Sequence, residues 1–366
     1  MIIVMDENYL AKTWHSFLLA VAAIVIAYVG NAYGSQAMPY WQNALFVVHM
    51  MAFFAFIVPI WVNAPLATHE QVWNEFEASG GWSSMGLTIM VGQLTGIANQ
   101  LGVDSAAHMA EEVREASISV PEAMISIYLI NFVALLPTVI TVCYHMPNVD
   151  DALNDGTGYP ALYVFRQAAT PTWTIVLLAV IAFIFIASNI TYLAAVTRDL
   201  FAFSRDHGLP FSAWISKIDG RRHVPINATI LSSGVALLLA LIYLGSTVAF
   251  YAIIALYTAA LLQCYCFSIG CVLWRRIFHP ETLPPARFSL GRFGIPLNGF
   301  AVLFSGYCLF WSFWPQEYPV TVENFNWAIV IFGIVMIIAL AYFVFRARHK
   351  YVGPVSTVEG RKERRE

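Results

Sequence analysis

Between residues 92 and 121 an apolar, helix-forming run meets Asn99 and Gln100. Then come Gly102-Val103-Asp104-Ser105, and only afterwards a segment rich in Ala, His and Glu. A carboxylate inside an apolar span costs about 2.5–3.5 kcal/mol at a bilayer centre on insertion scales, so such groups face a cavity or a partner rather than lipid. Glycine permits an unwound backbone, whose freed N–H and carbonyl groups can hold a small polar ligand while half-helix termini add a favourable dipole. On this reading Asn99 and Gln100 supply amide donors and acceptors, and Gly102 and Val103 supply the open backbone. Asp104 attracts an ammonium group or accepts a proton, and Ser105 caps the following half-helix. The bland alternative makes Asp104 only a helix cap at a membrane edge. Gly92 and Gly96, spaced GxxxG, read as close helix contacts rather than ligands.

His108 and Glu111 follow Asp104 by four and seven residues, so on a continuous helix the three share a face, with Glu112 beside them. Two readings stay open: a gate with Arg198 or Arg205 as partners, or a solvated helix face. His49 stands alone in an apolar stretch with no neighbouring charge. A histidine in a span can bind and release a proton near neutral pH, and the alternative is a neutral, hydrogen-bonded side chain. Ser188, Asn189, Thr191 and Tyr192 form a polar run in another apolar stretch, suited either to ligand contact or to interhelical hydrogen bonds of about 0.6 kcal/mol each.

Other chemistries find no footing. The sequence has no HExxH, no Ser/His/Asp set, no metal-spaced His cluster and no GxxxxGK[ST], so neither an enzyme, a metal site, a cofactor nor ATP drive is expected. The five cysteines lie in or beside apolar runs without CxxC spacing, and Cys264 and Cys266 read as packing. A net charge of −3 gives no basic surface for nucleic acid.

The elements that must position these residues are membrane helices. The chain of 366 residues is 59% hydrophobic and only 11% charged, against about 25% charged in soluble domains. Nine stretches are long and apolar enough to span a bilayer: 14–31, 41–62, 83–101, 123–144, 172–195, 225–244, 249–274, 295–314 and 327–345. Seventeen of the 19 Lys and Arg follow the third, fifth, seventh and ninth of these, leaving Lys12 and Arg166. The opposite loops carry Glu70, Glu75, Glu77, Asp150, Asp151, Asp155, Glu317 and Glu323. Positive-inside asymmetry therefore predicts a cytoplasmic C-terminus and an N-terminus outside. Tryptophans at the span ends (Trp14, Trp41, Trp61, Trp82, Trp274, Trp314, Trp327) form the interfacial belt. The basic cluster at 361–365 reads as a solvated tail or a contact for anionic lipid.

The string Thr197-Arg198-Asp199-Leu200-Phe201-Ala202-Phe203-Ser204-Arg205-Asp206-His207-Gly208-Leu209-Pro210 resembles the loop after the eighth helix of the amino acid–polyamine–organocation permeases. Three further pieces agree with it. They are Val103-Asp104-Ser105-Ala106-Ala107-His108-Met109-Ala110-Glu111-Glu112-Val113 with Pro121, Leu290-Gly291-Arg292-Phe293-Gly294-Ile295-Pro296-Leu297-Asn298, and Tyr351-Val352-Gly353-Pro354. Together they look like the fungal branch of GABA, choline and amino-acid permeases.

The resemblance implies an all-α polytopic membrane protein with a LeuT-like inverted-repeat fold, the nine spans matching helices 4–12 of twelve. Residues 1–354 would be a permease domain lacking the first three helices, and 355–366 a charged tail. It further implies import of a small amine or amino acid with protons by alternating access, in the plasma membrane or the vacuolar membrane. The break at 99–105 would be one half of a substrate site. Proton-coupling or gating candidates are His49, Asp104, His108, Glu111, Ser188 and Asn189, although related permeases carry Lys where His49 stands. The alternative implication is a truncated or non-transporting relative, acting as a sensor or partner. The sequence leaves the oligomeric state open.

Overall fold

The structure, a computed structural model, describes residues 2–5, 12–76, 78, 80–222, 224–283 and 286–351. Glu77, residues 352–354 of the fourth resemblance string and the basic tail cluster therefore lie outside the described residues. Each of the nine expected spans is a helix: α1 Thr13–Gly34, α2 Met38–Asn63, α3 Met85–Ala98, α4 Ala116–Tyr144, α5 Pro171–Arg205, α6 Ile226–Gly245, α7 Thr247–Phe278, α8 Gly294–Ser312 and α9 Ala328–Tyr342. By length and composition seven helical stretches among the described residues can cross a membrane, one of them the 51-residue Thr13–Asn63. A 3₁₀ turn at Ser35–Ala37 divides that stretch into α1 and α2, each long enough for one crossing. The shorter α3, 14 residues, is the apolar helix that stops at the break.

Local chemistry sets the helix starts. Ser84 accepts from Leu87 N–H at 3.2 Å to open α3. Thr170 accepts from Trp173 N–H at 3.3 Å, with Pro171 at the first helical position of α5. Both are side-chain caps that satisfy an otherwise orphaned backbone donor. Helix α4 starts at Ala116 rather than at the expected 123, and takes Pro121 into its early turns.

Helix α5 is the longest at 35 residues, about 52 Å at 1.5 Å per residue. That exceeds the roughly 30 Å of hydrocarbon core, so its last turns, with Arg198, Asp199 and Arg205, project beyond it. The helix ends with His207 at φ 61°, so the left-handed residue is His207 and not the neighbouring Gly208. Gly208 is needed instead for space, since its N–H bonds Phe203 O at 2.9 Å and its Cα passes under the Phe203 ring.

Close helix approach occurs at Gly30 and not at the GxxxG pair. A Cβ on Gly30 would lie 2.8 Å from Ile190 Cγ2, whereas one on Gly92 or Gly96 would meet nothing within 4 Å. Beside Gly30, the buried Asn31 Nδ2 donates to Ala27 O at 2.9 Å and across to Ile190 O at 2.8 Å, tying α1 to α5. Leu94, Leu262 and Cys308 form a buried cluster that anchors the end of α3 to α7 and α8, directly before the break. Cys308 is therefore core packing, and Cys264 is exposed on α7. Arg166, which stands apart from the other basic residues, is paired with Asp155 at 3.3 Å.

Candidate functional site

Helix α3 stops at Ala98 and residues 99–104 run as turns before a single helical turn, Ser105–His108. Several bonds replace the helix ladder. Asn99 Nδ2 folds back to Thr95 O at 2.8 Å, and the N–H groups of Gln100 and Leu101 tighten onto Ile97 O and Ala98 O. Gly102 sits at φ 89°, a backbone region that side chains with a Cβ avoid. From α4, Asn131 Nδ2 reaches across to Asn99 O at 3.0 Å and Gln100 Oε1 at 3.1 Å. One carboxamide thus holds two residues of the unwound segment.

A cavity of about 570 Å³ opens beside the break. Asn99, Gly102, Val103 and Ser105 line it from the break itself, Asn131 from α4, Ser188 and Thr191 from α5, and Gln42 from α2. Gln42 Nε2 donates to Thr191 Oγ1 at 3.3 Å, closing the α2–α5 wall. The lining offers carboxamide and hydroxyl groups on an apolar ground, the pattern of a pocket that orients a small polar ligand. Gln100 stands behind it, committed to Asn131.

Asp104 occupies the N-cap position of the Ser105–His108 turn but makes no side-chain cap bond, and Ser105 does not supply one in its place. The carboxylate is engaged elsewhere. Tyr265 of α7 donates its hydroxyl to Asp104 Oδ1 at 2.8 Å, and Gly102 N–H donates to the same tyrosine oxygen at 3.4 Å. Asp104 Oδ2 lies 3.3 Å from His108 Nε2, and His108 Nδ1 lies 2.9 Å from Asp199 Oδ1 on α5.

Glu111 does not join that group. The helix after the break lasts one turn and gives way to a 3₁₀ segment, Ala110–Glu112, so the seven-residue spacing no longer stacks Glu111 over Asp104. Glu111 instead forms a two-pronged pair with Arg205, at 3.0 and 3.2 Å. Glu112 does the same with Arg198, at 2.5 and 3.0 Å. Hydrogen bonding from Arg205 holds the Glu111 carboxyl below the ordinary carboxylate range, against a smaller opposing effect of burial. Both arginines named as partners are thus paired, each with its own glutamate, and both pairs pin the segment to the projecting turns of α5.

His49 and Asn189 are not brought into the cavity. His49 lies on an exposed face of α2, and Asn189 Nδ2 bonds Phe185 O of its own helix at 2.8 Å. Three residues that sequence reasoning passed over belong to the site, Gln42, Asn131 and Tyr265, while Asp199 lies outside the cavity lining and meets the break through His108. Asn131 carried a usable signal, being a lone carboxamide in an apolar run. Tyr265 carried none, because an aromatic residue in a span is unremarkable.

A helical membrane protein with a broken helix opening on a polar cavity is the architecture of a small-molecule permease. The chain belongs to the amino acid permease family, which it matches over residues 1–337. It is 29% identical over 354 residues to amino-acid permease BAT1 of Arabidopsis thaliana, covering 94% of this chain and 66% of that protein. To a choline transporter of Saccharomyces cerevisiae it is 27% identical over 351 residues, covering 94% and 61%. To amino-acid permease 2 of Neurospora crassa it is 29% identical over 330 residues, covering 86% and 59%. The chain therefore spans 59–66% of the length of these relatives. It is a multi-pass integral membrane protein of a transporter family and not an enzyme.

Proposed function

We infer that this protein moves amino acids or related amines of the GABA, choline or polyamine class across the membrane by proton-coupled alternating access. The observation that carries this reading is the cavity beside the break, where unwound backbone, carboxamides and hydroxyls converge next to one carboxylate. An amine or zwitterion satisfies that set: its ammonium group is drawn toward Asp104, and its remaining polar atoms meet Asn99, Ser105 and Ser188 of the cavity lining. The paired Glu111–Arg205 and Glu112–Arg198 form the gate on the side of the Lys- and Arg-rich loops, which positive-inside asymmetry makes cytoplasmic. The plasma membrane is the expected location.

The test is expression of the protein in a host lacking its own amine permeases, with uptake of radiolabelled GABA, choline, spermidine and neutral amino acids measured with and without an inward proton gradient. Saturable uptake that collapses with the gradient supports the reading. Uptake insensitive to the gradient removes proton coupling. No uptake of any of these compounds, with surface expression verified, leaves a non-transporting sensor or partner as the surviving reading.

A further inference from the structure

Asp104, His108 and Asp199 form an unbroken chain from the break, where Asp104 stands between the cavity-lining Val103 and Ser105, to the projecting end of α5, with Tyr265 at its inner end. Side-chain exposure rises in order along it, from 19% at Asp104 to 33% at His108 and 52% at Asp199. The imidazole uses both nitrogens, Nε2 toward Asp104 and Nδ1 toward Asp199. We propose that this chain is the exit path of the coupled proton, with His108 the carrier and Asp199 the terminal acceptor that releases it to solvent. The proposal rests on the proton-coupled reading above and adds the route.

The proton balance is closed. A protonated Asp104 gives its proton to His108 Nε2 while His108 Nδ1–H passes its own to Asp199. Asp104 ends as a carboxylate, His108 as the opposite neutral tautomer and Asp199 as a carboxylic acid. Asp199 then loses its proton to water, and the imidazole resets. The Tyr265 hydroxyl donates to Asp104 Oδ1 and so remains bonded to the carboxylate left behind.

The charges around His108 permit this path. Its own segment brings Asp104, with Glu111 and Glu112 beyond. Helix α5 brings Asp199, whose neighbours Arg198 and Arg205 are occupied by Glu112 and Glu111. Were Arg198 free it would compete for Asp199 and hold it ionised. Helix α7 brings Tyr265 and Tyr257, the latter close to Gly102. Helix α4 carries Glu122 and Tyr128, neither bonded to His108 among the described residues.

The test uses the full chain in proteoliposomes with an internal pH dye, and radiolabelled choline and GABA as probes. Asp199→Asn keeps an acceptor for His108 Nδ1–H but cannot take a proton. It should lose substrate-driven proton entry and gradient-driven accumulation at least ten-fold while substrate exchange stays within two-fold of wild type. Asp199→Glu should restore proton entry. Infrared difference spectra on a pH jump supply a readout independent of substrate: a protonated-carboxyl band should vanish in Asp199→Asn, and His108→Gln should remove its coupling to the Asp104 band. Proton entry unchanged in Asp199→Asn, or exchange lost as fully as proton entry, overturns the relay. Wild-type exchange with no proton entry overturns the proton-coupled reading together with it, an outcome distinct from loss of the relay alone.

Discussion

Tyr265 and Asp104, 161 residues apart in sequence, meet at 2.8 Å, hydroxyl to carboxylate. The same hydroxyl accepts from Gly102 N–H at 3.4 Å. Helix α7 therefore fixes both the charge of the break and its backbone through one oxygen. A hydrogen bond to a charged group contributes about 1.5–3 kcal/mol. Tyr265→Phe should consequently lower uptake by about ten-fold or more, read as Vmax and KM for the best substrate. Wild-type kinetics in this variant would show that the contact is idle.

Asp104→Asn should abolish uptake or uncouple it from the proton gradient, because the amide neither attracts an ammonium group nor exchanges a proton. Uptake in acidic and neutral medium, side by side, distinguishes the two. Kinetics equal to wild type at both pH values would remove Asp104 from the site.

Gly102 and Gly92 should respond in opposite ways to alanine. At φ 89° Gly102 holds a conformation costly for any other residue, of order 1–3 kcal/mol. Gly102→Ala should therefore reduce transport and lower the melting temperature. Gly92 is helical with open space around its Cα, and the replacement there should stabilise by roughly 0.5–1 kcal/mol. Thermal unfolding of the two purified variants in detergent checks the contrast, which equal shifts would contradict.

The Glu111–Arg205 pair predicts a flat pH response. Its folded-state carboxyl titrates below the ordinary carboxylate range because Arg205 bonds it, so its contribution is present above the unfolded value of about 4.3 and is lost only as pH falls through the lower folded value. Between pH of about 5 and 8 the pair is constant, and Glu111→Gln should change the uptake rate without altering the shape of its pH profile. A changed shape in that window would assign Glu111 a titrating role. Glu111 is 64% exposed and Arg205 37%, so a stability change beyond about 1 kcal/mol is not expected.

At Gly30 the α1–α5 contact should be sensitive to added volume. Overpacking of this kind costs about 1–3 kcal/mol. Gly30→Ala should lower the melting temperature, and Ile190→Ala in the same chain should recover part of the loss, since the clashing atoms belong to Ile190. Additive losses in the double variant would place the strain elsewhere.

The nine helices were legible because a bilayer-spanning run needs only local composition. The break was legible because Asn99, Gln100, Gly102 and Asp104 violate that composition together. What the break touches was not. Asp199 appeared only as one residue of the string after the fifth span, and its bond to His108 depends on how α5 crosses the segment. Gln42 stands beside the belt residue Trp41, and nothing in its spacing points to the cavity. The grouping of Glu111 with Asp104 assumed a continuous helix, and the structure ends that helix at His108. GxxxG spacing at Gly92 misled for a related reason: spacing identifies a smooth face and says nothing of whether a neighbour covers it.

Helix α5 carries one further consequence. Its tight point against Gly30 is at Ile190, next to the cavity-lining Thr191, and its ion pairs end at Arg205. From Ile190 to Arg205 the helix forms a rigid arm of about 22 Å, with the Gly30 contact as fulcrum. A tilt of about 10° moves its far end by roughly 4 Å, enough to part ion pairs of this length. On the proposed gating, a small rearrangement around a ligand is geared up along this rod.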